Sequence, residues 1–264
     1  AGEVPTSPSG VSDNSSSMRT VRRHSTKHVA SSRMPPECTP YPGTVASGRV
    51  DLDVSLAMEL RPRIQPQDVT FRIGGTLRNV RSSEFLPGRV LRAAALQIVA
   101  DNESLSIGGP ARLDGLVADA TWRRALGPDS TPASTVDGRA TLTPETLAEF
   151  GVVLPDGMLI GRTEADFQLS LDRGRPPRLS VVSDLAGLGL SIPALGWSLP
   201  AASRGRLEAE LTLGETPDVP RLDISGNGLT LEGAVQISDE RQFERLEISR
   251  LSVSDWLDVS GALV

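Results

Sequence analysis

Apolar and polar residues alternate with a period of two along most of this chain. Between Asp51 and Glu59, Leu52, Val54, Leu56 and Met58 fall on one side, and Asp51, Asp53, Ser55 and Glu59 on the other. The same beat sets Val69, Phe71, Ile73 and Leu77 against Thr70, Arg72, Thr76 and Arg78. It sets Phe167, Leu169 and Leu171 against Asp166, Gln168, Ser170 and Asp172, and Leu207, Ala209, Leu211 and Leu213 against Arg206, Glu208, Glu210 and Thr212. Leu229, Leu231, Val235 and Ile237 likewise oppose Thr230, Glu232, Gln236 and Ser238. A helix would scatter these side chains around its circumference, whereas a strand gathers each set on one face. The pattern therefore predicts many consecutive strands with one apolar and one wet face, the mark of antiparallel sheet.

Glycine-bearing segments between the runs read as turns: Gly108-Gly-Pro110, Arg173 to Pro177, Gly214 to Pro217 and Gly226-Asn-Gly228. Near Gly115 the apolar phase slips, from Leu113 to Leu116, Ala118, Ala120 and Trp122, which predicts a bulge at the glycine. Segments 104–122 and 221–238 share a form, a short apolar strand, a glycine turn and a longer strand with a central glycine. That suggests a repetitive architecture stacked edge to edge. One short helix is predicted at TPETLAEFGV. Thr143 caps it, Pro144 suits its first position, Glu145 favours its positive end, Leu147 and Phe150 share a face, and Gly151 ends it. Such a short helix caps or plugs a sheet.

Composition divides the chain near residue 48. Residues 1–48 hold the sole lysine (Lys27), cysteine (Cys38) and tyrosine (Tyr41) and both histidines (His24, His28); they are rich in Ser, Thr and Pro and lack any apolar period. A segment with so little to bury is expected to be a disordered tail or non-native sequence. Its basic stretch, Arg19 to Lys27, could touch an anionic surface, with a solvated tail as the plainer reading. Residues 49–264 form one uniform region. It carries 22 Arg (27 basic residues less the 5 of the tail) and 30 acidic residues (33 less 3), a net charge of -8. This acidity gives no reason to expect a nucleic-acid partner. No run reads as a spanning helix, since Asp184 and Pro193 interrupt the most apolar stretch, Val181 to Trp197. The chain is expected to be a piece of something longer at both ends.

Catalytic chemistry has few residues to draw on. After Tyr41 there is no His, Cys, Lys or Tyr, so imidazole, thiolate and Schiff-base chemistry are excluded from the body. The same-face pairs Asp51/Asp53 and Glu208/Glu210 could form a glycosidase-like dyad, but a solvated sheet face explains them better. His24, His28 and Cys38 match no zinc spacing, and no glycine run completes a phosphate-binding loop. Asn102-Glu-Ser104 matches a glycosylation sequon. Trp122, Trp197 and Trp256 could stack on sugars, yet each ends an apolar run, as core-edge or rim residues do. Not an enzyme, with no metal and no cofactor, is the expectation.

The apolar faces leave two structural readings, a dry core between closed sheets or a curled sheet that shelters flexible acyl chains. An outer-membrane barrel would need aromatic girdles that the aromatic content of 3% does not supply. The run VSDLAGLGLSIPALGWSLPAASRGRLEAELTL (182–213) resembles the AsmA-like superfamily, which includes the YhdP and TamB types. There a Ser-Asp-Leu-x-Gly segment leads to a proline and a fresh strand. FRIGGTLRNV (71–80) with LPGRVLRAAALQIVADNESLSIGGPARLDGLVADATW (86–122) is similar to the uncharacterised domain of YhdP-type proteins. LTPETLAEFGVVLPDGMLIGRTEADFQLSL (142–171) resembles their helix, Pro-Asp-Gly turn and return strand. The resemblance spans roughly 49–264. It implies an elongated, curled, taco-like β-groove in the bacterial periplasm, held to the inner membrane by a segment absent here. It also implies movement of phospholipid between inner and outer membranes, with phospholipid or another acyl-chain lipid and the rest of the polypeptide as partners. Candidate groove residues, named by periodicity, are Leu52, Val54, Leu56, Val69, Phe71, Ile73, Phe167, Leu169, Leu171, Leu207, Leu211, Leu213, Leu229, Leu231, Val235 and Ile237. The alternative is a structural scaffold or outer-membrane assembly factor acting through sheet edges.

Overall fold

The structure is a computed structural model that describes residues 19–29, 46–58, 68–86, 88–131, 133–152, 155, 157–214, 217–237 and 243–263. In chain order the strands are β1 (Arg19–Val29), β2 (Ser47–Met58), β3 (Val69–Ser82), β4 (Leu91–Asp101), β5 (Ser104–Leu113), β6 (Leu116–Ala125) and β7 (Ser134–Leu142). A short helix, α1 (Pro144–Glu149), precedes β8 (Leu159–Gly161), β9 (Thr163–Leu171), β10 (Arg178–Ser183), β11 (Leu188–Ile192) and β12 (Trp197–Leu199). The chain continues through β13 (Arg206–Thr212), β14 (Asp218–Gly226), β15 (Leu229–Ile237), β16 (Phe243–Val253) and β17 (Leu257–Leu263). Fourteen of these strands make one antiparallel sheet in sequence order, thirteen from β2 onward with β1 added at one edge. β8, β11 and β12 leave that order and form a separate three-stranded sheet. The large sheet is not closed into a barrel.

Every predicted alternating run is a strand, and the ladder carries its apolar phase from one strand to the next. Val54 stands opposite Ile73, Ile73 opposite Ala100, Ala100 opposite Leu105. Ile107 stands opposite Trp122, Trp122 opposite Val136, Val136 opposite Leu169 and Leu169 opposite Leu179. Leu179 pairs with Leu211 and Leu207 with Ile224; Ile224 then pairs with Leu231 and Leu231 with Leu251. Directly opposed residues share a face, so one apolar face runs unbroken from β2 to β17. Gly75 shows how tightly this is built: a Cβ there would strike the Asp51 carbonyl of β2.

Two local expectations are corrected. Gly108-Gly-Pro110 is not a turn but the middle of β5. The β4–β5 ladder breaks between Gly108 and Arg112, and Pro110, which has no N–H to donate, falls in that gap. Gly115 marks no bulge. Asp114 and Gly115 are a two-residue hairpin turn joining Leu113 to Leu116, with Asp114 at φ 51°. A reversal resets the apolar phase, which is why the sequence alternation slips there. Both segments of the suggested repeat are hairpins, with turns at Asp114-Gly115 and Asn227-Gly228.

Within the tail, where no ordered element is expected, residues 19–29 form β1. Ladder bonds are made by backbone, so a segment without apolar period can still extend an edge. β1 runs antiparallel to β2 with His24 opposite Asp53 and Thr26 opposite Asp51. The remaining tail residues up to 45, with Cys38 among them, lie outside the described residues.

Helix α1 forms as predicted. Thr143 Oγ1 accepts from the Thr146 N–H at 3.2 Å, and Thr146 Oγ1 accepts in return from the Thr143 N–H at 2.9 Å. The helix is tied to the neighbouring hairpins. Gly115 N–H donates to Glu149 Oε2 at 3.0 Å, and Arg89 donates to the Glu149 carbonyl and stacks 4.4 Å over the Phe150 ring. Among the described residues no helix is long and apolar enough to cross a membrane.

The inserts carrying α1, β8, β11 and β12 all leave the sheet at one end, that of the β3–β4, β5–β6, β14–β15 and β16–β17 connections. There the small sheet lies on the apolar face. Leu185, Leu188, Trp197 and Leu199 bury themselves against Leu229, Leu231, Leu251 and Val253, with Leu199 1% exposed. Trp197 Nε1–H donates to the Asn227 carbonyl at 2.9 Å, and Asn227 Nδ2–H donates to the Ser198 carbonyl at 2.6 Å. These bonds fasten the small sheet to the β14–β15 turn.

Candidate binding face

Fifteen of the sixteen residues singled out by periodicity divide into two environments. Leu229 and Leu231 are fully buried beneath the small sheet. At this end the apolar face is a sealed core, and these two residues are structural. Leu52, Val54, Leu56, Val69, Phe71, Ile73, Phe167, Leu169, Leu171, Leu207, Leu211, Leu213 and Val235 are half-buried. Of these, Leu207 touches the sealed core, and Leu213 lies just past the end of β13. Ile237 stands opposite Phe243 in the β15–β16 ladder, and its side chain lies outside the described residues. Away from the sealed end, the described strands provide no second sheet over the face. β8, β11 and β12 are the ones outside the main sheet, and they stay at their own end.

Periodicity did not single out part of the same surface. Leu96, Ala100, Leu105, Ile107, Trp122, Val136, Ala140 and Ala165 join it by register. In β4 two buried residues of the same face, Ala93 and Leu96, are three apart, because β4 carries one extra residue against β5 between Arg92 and Gln97. An odd spacing hides such a strand from a period-two reading.

The opposite face is a lattice of ion pairs, across strands and along them. Arg78 meets Asp51 at 3.1 Å, Arg123 meets Asp137 at 2.7 Å, Arg139 meets Asp166 at 2.8 Å and Arg250 meets Glu232 at 3.9 Å. Arg221 reaches Asp223 at 2.6 Å, Glu208 at 3.4 Å and Glu210 at 3.8 Å, and Arg206 also pairs with Glu208. Three of the four carboxylates considered as catalytic pairs are therefore members of this lattice: Asp51 is bound to Arg78, and Glu208 and Glu210 share Arg221. The Arg139 guanidinium holds the Asp166 carboxyl below its ordinary range.

Turn carboxylates behave the same way for a different reason. Asp101 accepts backbone N–H bonds from Glu103 and Ser104 at 2.9 and 2.8 Å, which depress its pKa. Asp114 is held down by the Val90 N–H at 3.0 Å and then by Arg89. Asn102, the sequon asparagine, pins the β4–β5 turn to β3. Its Oδ1 accepts from the Phe71 N–H at 2.8 Å, and its amide donates to the Val69 carbonyl at 2.7 Å. Among the described residues no cluster of His, Cys, Asp and Glu could hold a metal, and no buried side-chain polar atom lacks a partner.

The tryptophans occupy three distinct places. Trp197 is in the sealed core, Trp122 is half-buried on the uncovered part of the apolar face, and Trp256 is 62% exposed in the β16–β17 turn. Comparison with known proteins finds no matching family model, no matching curated protein and no matching solved structure.

Proposed function

We infer that this chain shelters the acyl chains of phospholipid on the uncovered part of its apolar face. On this reading it is a segment of an AsmA-like envelope protein, lying in the periplasm and anchored to the inner membrane by a segment outside this sequence. There it passes lipid between inner and outer membranes. The observation that carries the reading is the difference between the two faces of a single sheet. One is aliphatic across β2 to β7, β9, β10 and β13, half-exposed at most positions and buried at Ala93, Leu96, Ala100, Val136, Ala140 and Ala165, and the other is laced with ion pairs. Half-exposed aliphatic surface on that scale is unfavourable in water at roughly 25 cal/mol per Å². An acyl chain covers it without directional bonds, matching a surface that offers few polar groups.

The test is lipid capture with site-specific photo-crosslinking. Protein purified from a bacterial envelope fraction should carry phospholipid detectable by native mass spectrometry. A crosslinker at Phe71 or Leu169 should label lipid, while one at Val99 or Val182 on the outer face should not. A lipid-free preparation, or equal labelling from both faces, would overturn the reading.

A second reading rests on the open sheet. β17 has a ladder partner on one side, β16, and the sheet does not close on itself. An edge of this kind can take a strand from another chain, as a scaffold or assembly factor would require. A proline in β17 that abolished partner capture and left lipid content intact would favour it.

A further inference from the structure

Following the register from β2 to β17, one charged residue falls on the apolar face among the described positions: Arg124. It follows Trp122 in β6 by two residues, so the two side chains leave the strand on the same side. Leu105 of β5 and Ser134 of β7 stand directly across from it. The preceding residue, Arg123, turns to the outer face and binds Asp137 at 2.7 Å. Arg124 makes no ion pair among the described residues and is exposed. An arginine whose neighbours are Leu, Ser and Trp has five N–H donors and no carboxylate paired with it.

Its position along the strand is as informative as its charge. β6 begins at Leu116, at the end where the inserts leave the sheet, and Arg124 lies near the opposite, uncovered end. Eight residues separate them, about 27 Å at a strand's rise of about 3.4 Å per residue. Leu116, Ala118, Ala120 and Trp122 line that path on β6, and Leu142, Ala140, Gly138 and Val136 follow it on β7. The span accommodates one extended acyl chain, with an anion-binding group at its mouth.

We propose that Arg124 is the headgroup seat of this face and that its ligand is an anionic amphiphile, a carboxylate or phosphate on an acyl tail, bound tail-inward toward the sealed end. This deepens the acyl-sheltering reading and rests on it. The guanidinium takes the anion through charge-assisted bonds, and the Ser134 hydroxyl opposite supplies a further donor. The tail lies along β6 and β7 past Trp122 and does not reach Trp197.

The test is fluorescence quenching below the critical micelle concentration with 9,10-dibromostearate, its uncharged methyl ester and inorganic phosphate as separate probes. W122F and W256F variants assign the signals. Dibromostearate should quench Trp122 and leave Trp197 bright, and should bind about tenfold more tightly than the ester, the margin of one charge-assisted hydrogen bond at a partly exposed site. Arg124→Gln should remove that preference, bringing the affinity for the acid down to that for the ester. Phosphate alone should compete only weakly; competition as strong as that of the acid would make the seat a free-anion site and overturn the amphiphile assignment. Equal binding of acid and ester by the native chain, a preference that survives Arg124→Gln, or quenching of Trp197 would also overturn it and leave acyl sheltering standing. Failure of both acid and ester to bind would remove the sheltering reading as well.

Discussion

Replacing Leu199 by alanine separates the sealed end of the apolar face from the uncovered part. Leu199 is 1% exposed and packs among Leu185, Leu188, Trp197, Leu229 and Leu251. The substitution removes about three methylene equivalents at about 0.8 kcal/mol each, roughly 2.4 kcal/mol of transfer free energy. A cavity term follows, because neighbours held by the Trp197–Asn227 and Asn227–Ser198 bonds cannot collapse freely, bringing the loss to about 3–4 kcal/mol. Leu56→Ala is the control. Leu56 is half-buried on the uncovered face, so part of its surface is already wet and truncation opens no closed cavity; the loss there is about 1 kcal/mol. Urea unfolding, followed by far-ultraviolet circular dichroism and by Trp197 emission, measures both. At a slope of about 3 kcal/mol/M the Leu199→Ala midpoint falls by about 1 M. A Trp197 transition that precedes the circular dichroism change would show the small sheet undocking alone. Equal losses for the two variants would refute the division of the face into core and uncovered surface.

Three further outcomes follow from particular contacts. Thr143→Ala removes the helix cap and should cost about 1 kcal/mol, with faster amide exchange at Leu147 and Phe150. Gly75→Val drives a side chain into the Asp51 carbonyl across the β2–β3 ladder; a loss of about 2–3 kcal/mol in chemical denaturation is expected, and a neutral result would refute the register there. Asp101, Asp114, Glu145 and Asp166 all have folded-state pKa values below their ordinary ones. Their contribution is therefore complete above the ordinary carboxylate values of 3.8 and 4.5 and is lost as pH falls through the depressed folded values. The urea midpoint should hold from neutral pH down to about pH 5 and then fall, and Asp101→Asn should flatten that acid limb.

The alternating runs at 51–59, 69–78, 166–172, 206–213 and 229–238 determined that this is an antiparallel β protein and which side of each strand is apolar. A period of two is a local property, and no partner is needed to read it. The capping residue Thr143 and the Pro144 that follows it fixed α1 for the same reason. Interruptions of the phase were harder to read. The slip between Leu113 and Leu116 looks alike whether the chain bulges or reverses, and the three-residue step from Ala93 to Leu96 makes sense only beside β5, against which β4 carries an extra residue. β8, β11 and β12, of three to five residues each, are too short to show a period, and β1 has none because an edge strand is held by backbone bonds. Tertiary structure alone decided that those short strands leave the main sheet and settle at one end. This made Leu229 and Leu231 core, left Phe71 and Leu169 half-exposed, and placed Arg124 at the open end of an otherwise uncharged face. Burial depends on what lies across from a side chain, and that is set by residues distant in the chain.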